Sequence, residues 1–355
     1  MTTATANSTL LQPEELAVAS KLAQRILDQM DQVLLGRNNL HRMLLVGILS
    51  RGHVLLEGLP GVGKTAMIKA LGGILGLEFR RVQFTPDLMP SDILGTHILR
   101  ETEAGTREMT FQSGPVFTNI LLADEINRAS PKTQSALLEA MQEHSVTLLG
   151  TTRRLPEPFF VLASQNPVEL EGTYPLPEAQ LDRFLFKLSV GNVSADVLEG
   201  IISTRRRGEP PELHDPLSAP DRARLFEVMD RIYLPRAVSK YISRLVAASH
   251  PNNAEATNEV KTYVGYGASP RAAIAMAESA RAHAFLDGRP SVGFEDVRAI
   301  APPVMAHRLI LNYKSRLDRV SQLDVVQRLL EAIDETGMNL PEGIELGSGE
   351  KDAKG

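Results

Sequence analysis

The stretch GLPGVGKT at residues 58–65 decides the fold, because it matches the pattern G-x-x-x-x-G-K-[ST]. It directly follows HVLLE (53–57), which is typical of a buried strand, and it leads into TAMIKAL (65–71), which is typical of a helix. The glycines let backbone N–H groups turn inward around a phosphate, and the helix N-terminus adds partial positive charge. The stretch therefore predicts a phosphate-binding loop between a strand and a helix, with a plain glycine-rich turn as the alternative.

This loop and the start of its helix form the predicted nucleotide site. Lys64 can reach the β- and γ-phosphates, and the Thr65 hydroxyl can bind Mg²⁺. A nucleoside triphosphate and Mg²⁺ are therefore the predicted cofactors. The predicted nucleotide contacts are Gly58, Leu59, Pro60, Gly61, Val62, Gly63, Lys64, Thr65 and Ala66.

Two carboxylates follow a second predicted strand, NILLAD (119–124). Asp124 ends this strand and Glu125 comes next, so both lie at the carboxyl edge of the sheet, which also carries the loop. We predict that Asp124 holds Mg²⁺, directly or through its water, and that Glu125 polarises the water that attacks the γ-phosphate. Many strands end in acidic residues for solubility, so the pair predicts hydrolysis only in combination with the loop.

A neutral amide leaves the same edge after the predicted strand FFVLAS (159–164). Asn166 can orient the attacking water or contact the γ-phosphate. Asparagine before proline is also a common turn signal. The neighbouring motifs favour a catalytic role for Asn166.

The chain divides into an α/β part and a helical part. Residues 14–30 and 38–49 carry apolar side chains at helical spacing, and no strand is evident after Gly191. Between these regions, five apolar runs separated by helical segments predict a parallel sheet. The runs are HVLLEG, FRRVQF, NILLAD, FFVLAS and FLFKLS. The predicted boundaries are a polar, disordered tail at 1–13, an α/β core at 14–190, a helical domain at 191–335 and a flexible tail at 336–355.

Composition excludes several classes of site and partner. The 355 residues include no cysteine, which excludes disulfides, thiolate metal sites and cysteine nucleophiles, and the eight histidines show no paired ligand spacing. The net charge is -5 with both signs interspersed, so we expect no nucleic-acid partner. No apolar stretch approaches the roughly 20 residues that cross a bilayer, and the start lacks the features of an export signal. We therefore expect a cytoplasmic protein without membrane insertion.

Two arginines occupy positions suited to phosphate chemistry. Arg183 lies just before the fifth predicted strand, and Arg271 begins a predicted helix of the second domain. Arginine stays charged and can offset the charge that develops on phosphate oxygens. An isolated arginine is more often a surface residue, so the residues alone leave both roles open.

Together these segments resemble the AAA+ ATPases, and among them the MoxR family. The resemblance spans most of the chain and rests on long segments in a fixed order. They are GHVLLEGLPGVGKT (52–65), TPDLMPSDILGT (85–96), SGPVFTNILLADEINRASPKTQSALLEAMQE (113–143), PFFVLASQNPVELEGTYPLPEAQLDRF (158–184) and GASPRA (267–272). The resemblance implies ATP as the nucleotide, a P-loop α/β core with a five-stranded parallel sheet flanked by helices, and an all-α lid.

The resemblance also implies roles for single residues. Asn166 looks like the sensor-1 residue, Arg183 like the arginine finger given to a neighbouring subunit's nucleotide, and Arg271 like the sensor-2 arginine of the lid. A ring, usually a hexamer, follows from a finger supplied in trans, and the family often works with a partner that carries a von Willebrand factor A domain. Ser164 stands where relatives commonly carry threonine, a change that preserves the hydroxyl.

Two segments of the core fit the inserts of the helix-2-insert clade. Residues 96–114 and 145–159 are typical of β-hairpins, with Gly105 and Gly150 near their turns. Long loops in a compact domain are more often functional than not. We therefore expect the two segments to face the centre of the ring or a partner.

The predicted function is hydrolysis of ATP to ADP and phosphate, coupled to chaperone-like remodelling, activation or assembly of other proteins. One alternative is the motor subunit of a metal chelatase, whose ATPase core is similar. Another is a ring scaffold that binds ATP with negligible turnover. Glu125 and Arg183 argue against the scaffold, because a scaffold needs neither.

Overall fold

A computed structural model describes residues 11–101, 107–168, 172–205 and 215–335 of the chain. Most of the predicted N-terminal tail, the C-terminal tail from 336 and Gly105 lie outside the described residues. The first helix begins at Pro13, one residue before the predicted start of the core. The domain boundaries otherwise stay predictions.

The strands fall into one central sheet and three small antiparallel pairs. In chain order they are β1 (Val54–Glu57), β2 (Phe79–Gln83), β3 (Gly95–Glu101), β4 (Arg107–Ser113), β5 (Ile120–Asp124), β6 (Ser145–Leu148), β7 (Thr151–Arg154), β8 (Phe160–Gln165), β9 (Phe186–Ser189), β10 (Val264–Tyr266) and β11 (Ile310–Leu311). The central sheet is parallel, with the order β2-β5-β8-β1-β9. Its five strands are the five apolar runs of the sequence, so the predicted sheet is confirmed.

The helices flank this sheet and build the second domain. They are α1 (Pro13–Val33), α2 (Asn38–Leu49), α3 (Lys64–Leu75), α4 (Pro90–Leu94), α5 (Pro131–Glu143), α6 (Glu178–Leu181), α7 (Ala195–Thr204), α8 (Ala219–Asp230), α9 (Arg236–Ala248), α10 (Asn258–Tyr263), α11 (Pro270–Leu286), α12 (Phe294–Met305), α13 (Tyr313–Leu317) and α14 (Gln322–Ala332). No helix within the described ranges is both long and apolar enough for a membrane crossing.

Two hydrophobic clusters cover the two faces of the sheet. Successive residues of β5 alternate between them, with Ile120 and Leu122 in one cluster and Leu121 and Ala123 in the other. The first cluster also includes side chains of α1, α2, α3 and the helices of the second domain. The lid therefore packs on the same face as the helix that follows the predicted phosphate-binding loop.

The second domain differs from the prediction in one detail. We expected no strand after Gly191, but β10 and β11 form a short antiparallel pair. Three and two residues are too short to produce a strand pattern in the sequence. Apart from an isolated bridge between Tyr233 and Ser291, the described part of the lid is otherwise helical, as predicted.

The two predicted hairpins are present in the core. β3 pairs with β4 from Gly95↔Ser113 to Glu101↔Arg107, and β6 pairs with β7 across a turn at Gly150, whose φ is +77°. The hairpins touch each other, because the Arg153 guanidinium lies 4.0 Å from the centroid of the Phe111 ring.

Candidate functional site

A pocket of about 360 Å³ lies at the carboxyl edge of the sheet, where β1, β5 and β8 end. We call it the carboxyl-edge pocket. Its lining residues are Pro60, Gly61, Gly63, Lys64, Thr65, Ala66, Arg81, Gln83, Asp124, Glu125 and Asn166. Residues from the loop and from the ends of three further strands, which are far apart in the chain, therefore meet at one site.

The loop adopts the conformation that its glycines permit. Gly61 and Gly63 have φ angles of +81° and +89°, in the left-handed region that favours glycine. Gly58 is required for a different reason, since a Cβ there would lie 2.5 Å from the backbone oxygen of Val190. Of the nine predicted contacts, Gly58, Leu59 and Val62 do not line the pocket, and the other six do.

Lys64 begins α3, and its side chain is buried at the base of the loop. Its Nζ donates a hydrogen bond of 2.5 Å to the carbonyl oxygen of Gly58. Burial lowers the pKa of the Lys64 ammonium below its usual value, while Asp124 and Glu125 act in the opposite direction. The pocket thus contains a fixed cation beside two carboxylates.

The Asp124 carboxylate is buried and has partners on both oxygens. Oδ1 accepts a 2.5 Å hydrogen bond from the Ser164 hydroxyl, and Oδ2 accepts bonds of 3.0 and 2.7 Å from Nε and Nη2 of Arg81. The carboxylate is therefore held in one orientation toward the loop.

Glu125 follows Asp124 in a left-handed conformation, with a φ of +56°. This turn of the backbone is supported by Ser164, whose Oγ accepts a 2.9 Å hydrogen bond from the Glu125 N–H. The Glu125 carboxylate accepts bonds from Gln83 Nε2 at 2.6 Å and from Arg128 Nη1 at 3.1 Å. Non-glycine residues with positive φ are uncommon, and they concentrate at functional sites.

Asn166 completes this edge from β8. It is buried, and its Oδ1 accepts a 3.2 Å hydrogen bond from the Val168 N–H. The loop is attached directly to the same strand, because the Gly58 N–H donates a 3.2 Å bond to the Gln165 carbonyl. Asn166 and the loop therefore have a fixed relative position.

Three side chains of the site were missed in the sequence. Arg81 and Gln83 lie on β2, which pairs with β5 so that Gln83 is opposite Asp124, and Ser164 joins Asp124 to Glu125. The available signal was the alternate spacing of Arg81 and Gln83 in FRRVQF, which places both side chains on one face of the strand. We interpret this run in the sequence only as a buried strand.

The lining residues have the chemistry to hold a Mg²⁺ complex of a nucleoside triphosphate. Carboxylate and hydroxyl oxygens suit Mg²⁺, and the pocket presents both in Asp124 and Thr65. The N-terminus of α3 and the Lys64 ammonium suit phosphate oxygens.

Arg183 and Arg271 lie elsewhere, in a second pocket of about 310 Å³ at the amino edge of the sheet. This amino-edge pocket is lined by residues that precede β1 and β9, by residues at the C-terminal end of α5 and by residues of the lid. Its charged lining residues are Arg51, Asp182, Arg183, Arg271, Glu278 and Arg308. Within the described residues, the two pockets share no lining residue.

Asp182 connects the segment that carries Arg183 to the lid. Its carboxylate accepts bonds of 3.0 Å from the Ser269 hydroxyl and 2.9 Å from Arg308 Nε, and Arg271 Nη1 lies 3.6 Å from Oδ2. Arg308 is almost fully buried and also donates to the carbonyl oxygen of Phe184. Burial lowers the pKa of the Arg308 guanidinium, and Asp182 offsets part of this effect.

Comparisons with known proteins agree with this architecture. Residues 53–186 match the model of the ATPase family associated with various cellular activities (AAA), and residues 256–329 match the AAA lid domain. The chain is 44% identical to Chaperone MoxR1 of Mycobacterium tuberculosis, over 90% of this chain and 84% of that protein. It is 41% identical to the protein YeaC of Bacillus subtilis, over 88% of this chain and 94% of that protein.

A solved structure extends the agreement to three dimensions. The crystal structure of a Cytophaga hutchinsonii protein assigned as an ATPase superposes with a TM-score of 0.82, at 38% identity, and covers 90% of this chain and 97% of that one. The likeness therefore includes both domains and nearly the whole chain. With its AAA core, its lid and these relatives, the chain belongs to the MoxR family of AAA+ ATPases.

Proposed function

We propose that this chain hydrolyses ATP to ADP and phosphate with Mg²⁺, and that a ring of its copies uses the free energy to remodel, activate or assemble other proteins. The observation that carries the proposal is the convergence of Lys64, Asp124 and Glu125 in the carboxyl-edge pocket. A cation, a metal-binding carboxylate and a second carboxylate are the groups that hydrolysis of a γ-phosphate requires.

Each residue has a separate role in this mechanism. The loop N–H groups and Lys64 bind the phosphates, while Thr65 and Asp124 hold Mg²⁺, which neutralises phosphate charge when bound. The Glu125 carboxylate accepts a proton from the attacking water, and Asn166 orients that water. Ser164 holds the Asp124 carboxylate and the Glu125 backbone in their relative positions through its two hydrogen bonds.

Arg183 and Arg271 serve the nucleotide of a neighbouring copy in this proposal. Both line the amino-edge pocket, at the opposite edge of the sheet from the residues that bind phosphate. A contact between the amino edge of one copy and the carboxyl edge of the next brings these cations to the γ-phosphate. A hexameric ring accommodates six such contacts.

The proposed clients are proteins. The name of the Mycobacterium tuberculosis relative, Chaperone MoxR1, supports a chaperone role. The family resemblance supports a partner protein with a von Willebrand factor A domain. The proposed location of this chain and its partner is the cytoplasm. The hairpins offer a contact surface, since Leu99, Met109 and Leu149 are exposed on them. Large exposed apolar side chains are common where proteins bind other proteins.

Substitution of Glu125 tests the proposal. Glu125→Gln removes the proton acceptor and keeps the size of the side chain, so ATP binding is expected to persist while turnover falls by about a hundredfold or more. Binding is measured with a fluorescent ATP analogue, and turnover by phosphate release. Glu139→Gln, an exposed change on α5, is the matched control.

Two outcomes contradict the proposal at different levels. Unchanged turnover in Glu125→Gln removes Glu125 from the mechanism. A wild-type ring that binds ATP without phosphate release, alone and with a partner, identifies a scaffold instead of a motor.

A further inference from the structure

Arg81 is the second cation of the carboxyl-edge pocket, and its guanidinium contacts both Asp124 and Gln83. Its Nε and Nη2 both donate to Asp124 Oδ2, at 3.0 and 2.7 Å. The Arg81 side chain is 47% exposed, whereas that of Asp124 is 12% exposed. The guanidinium can therefore leave toward solvent without disturbing the core, while the carboxylate is fixed.

The geometry of β2 explains why Arg81 is placed there. Side chains alternate along a strand, so Phe79 and Arg81 project to the same face, and Phe79 packs against the cluster that contains Leu122. That face also carries α3, the helix that begins at Lys64. Arg81 consequently lies on the side of the sheet where nucleotide phosphates and a cation would bind.

A divalent cation held by Asp124 would use the carboxylate that Arg81 already contacts. Asp124 Oδ1 accepts a 2.5 Å hydrogen bond from the buried Ser164 hydroxyl, whereas Oδ2 accepts from the half-exposed Arg81 guanidinium. Mg²⁺ binds carboxylate oxygen at about 2.0–2.1 Å, closer than a guanidinium can approach. Because both cations would lie beside one carboxylate, their mutual repulsion would disfavour simultaneous binding.

We propose that Arg81 competes with the divalent cation for Asp124 Oδ2 and neutralises this carboxylate when nucleotide binds without the cation. This inference rests on the proposed function, because it takes Asp124 as the metal ligand. Arg81 is thus a positioning residue that acts through Asp124. Arg81 weakens the energetic coupling between cation binding and nucleotide binding. The cation must displace Arg81 from Asp124 in order to bind, and nucleotide that binds without the cation meets less negative charge when Arg81 is present.

The test is the ratio of two dissociation constants for fluorescent ADP, one measured in EDTA and the other in saturating Mg²⁺. In Arg81→Gln, cation-free ADP meets an unneutralised carboxylate and Mg²⁺ meets no competitor. The ratio is therefore expected to rise by about three- to tenfold over that of the unaltered chain. Arg81→Lys retains the charge and is expected to give a smaller change.

A matched control separates this effect from a loss of structure. Arg80→Gln removes the neighbouring arginine, which pairs with Glu78, and is expected to leave the ratio unchanged. A purely structural defect would weaken ADP binding equally with and without Mg²⁺, so it would not alter the ratio.

The outcomes are distinct. A raised ratio in Arg81→Gln alone supports the competition, and an unchanged or lowered ratio with intact ADP binding overturns this inference only. Failure of the unaltered chain to bind ADP under both conditions overturns the proposed function and this inference with it.

Discussion

At the level of single residues, the Ser164 hydroxyl links the Asp124 carboxylate to the backbone of Glu125. It donates to Asp124 and accepts from the backbone N–H of Glu125, so one small side chain holds the proposed metal ligand and the residue beside it. In the sequence, Ser164 was notable only as a conservative replacement for threonine. Its contacts explain why a hydroxyl is needed at this position.

Gly58 gives a prediction at the same scale. An added Cβ would lie 2.5 Å from the Val190 oxygen, so Gly58→Ala must displace backbone on one side of the loop. We expect ADP affinity to fall by about tenfold or more and stability to fall by about 1–3 kcal/mol, as in overpacked sites. Fluorescent ADP titration and denaturant unfolding measure these effects. Gly191→Ala is the control, because a Cβ there meets no atom within 4 Å; equal behaviour of the two variants would refute the steric argument.

At the level of elements, the central sheet could be predicted because each strand is a contiguous apolar run buried between helices. The contribution of β2 to the site could not be predicted, because it depends on the pairing of β2 with β5. Arg81 lies 43 residues from its partner Asp124 in the chain, and Gln83 lies 42 residues from its partner Glu125. The common location of Arg183 and Arg271 was equally hidden, since it depends on how the lid packs against the core. Sequence patterns report local burial, and they carry little information on such distant contacts.

The junction between lid and core gives a prediction for these elements. Asp182→Ala leaves the buried Arg308 guanidinium without its carboxylate, so the free energy of unfolding is expected to fall by about 3–5 kcal/mol. Arg271→Ala removes a half-exposed arginine 3.6 Å from the same carboxylate and is expected to cost less than about 1 kcal/mol. Denaturant unfolding without nucleotide measures both. Similar small losses in both variants would show that Asp182 does not anchor the lid.

At the level of the whole molecule, the proposed sharing of sites predicts complementation between inactive variants. Lys64→Ala removes the proposed phosphate-binding cation and Arg183→Ala removes the proposed trans arginine, so each variant alone is expected to lose turnover. In rings assembled at random from equal amounts of the two variants, about one quarter of the sites combine an intact loop with an intact neighbouring arginine. This fraction follows because the loop and the arginine of each proposed site come from different copies in a head-to-tail contact. Phosphate release from the mixture should recover accordingly. Preformed rings combined without subunit exchange provide the control, and no recovery in verified mixed rings would place Arg183 outside the neighbour's site.

The opposite placement of the two pockets also bears on how copies must associate. Under the proposed roles, one copy contributes an arginine at one edge and a nucleotide site at the other, so no copy completes a site by itself. Head-to-tail contacts either close into a ring or continue as an open filament, depending on the rotation between copies. In every open assembly, the copy at one end has an arginine without a neighbouring nucleotide site, and the copy at the other end has a nucleotide site without a neighbouring arginine. Closure removes both ends at once, so turnover per copy reaches its full value only when the last subunit joins.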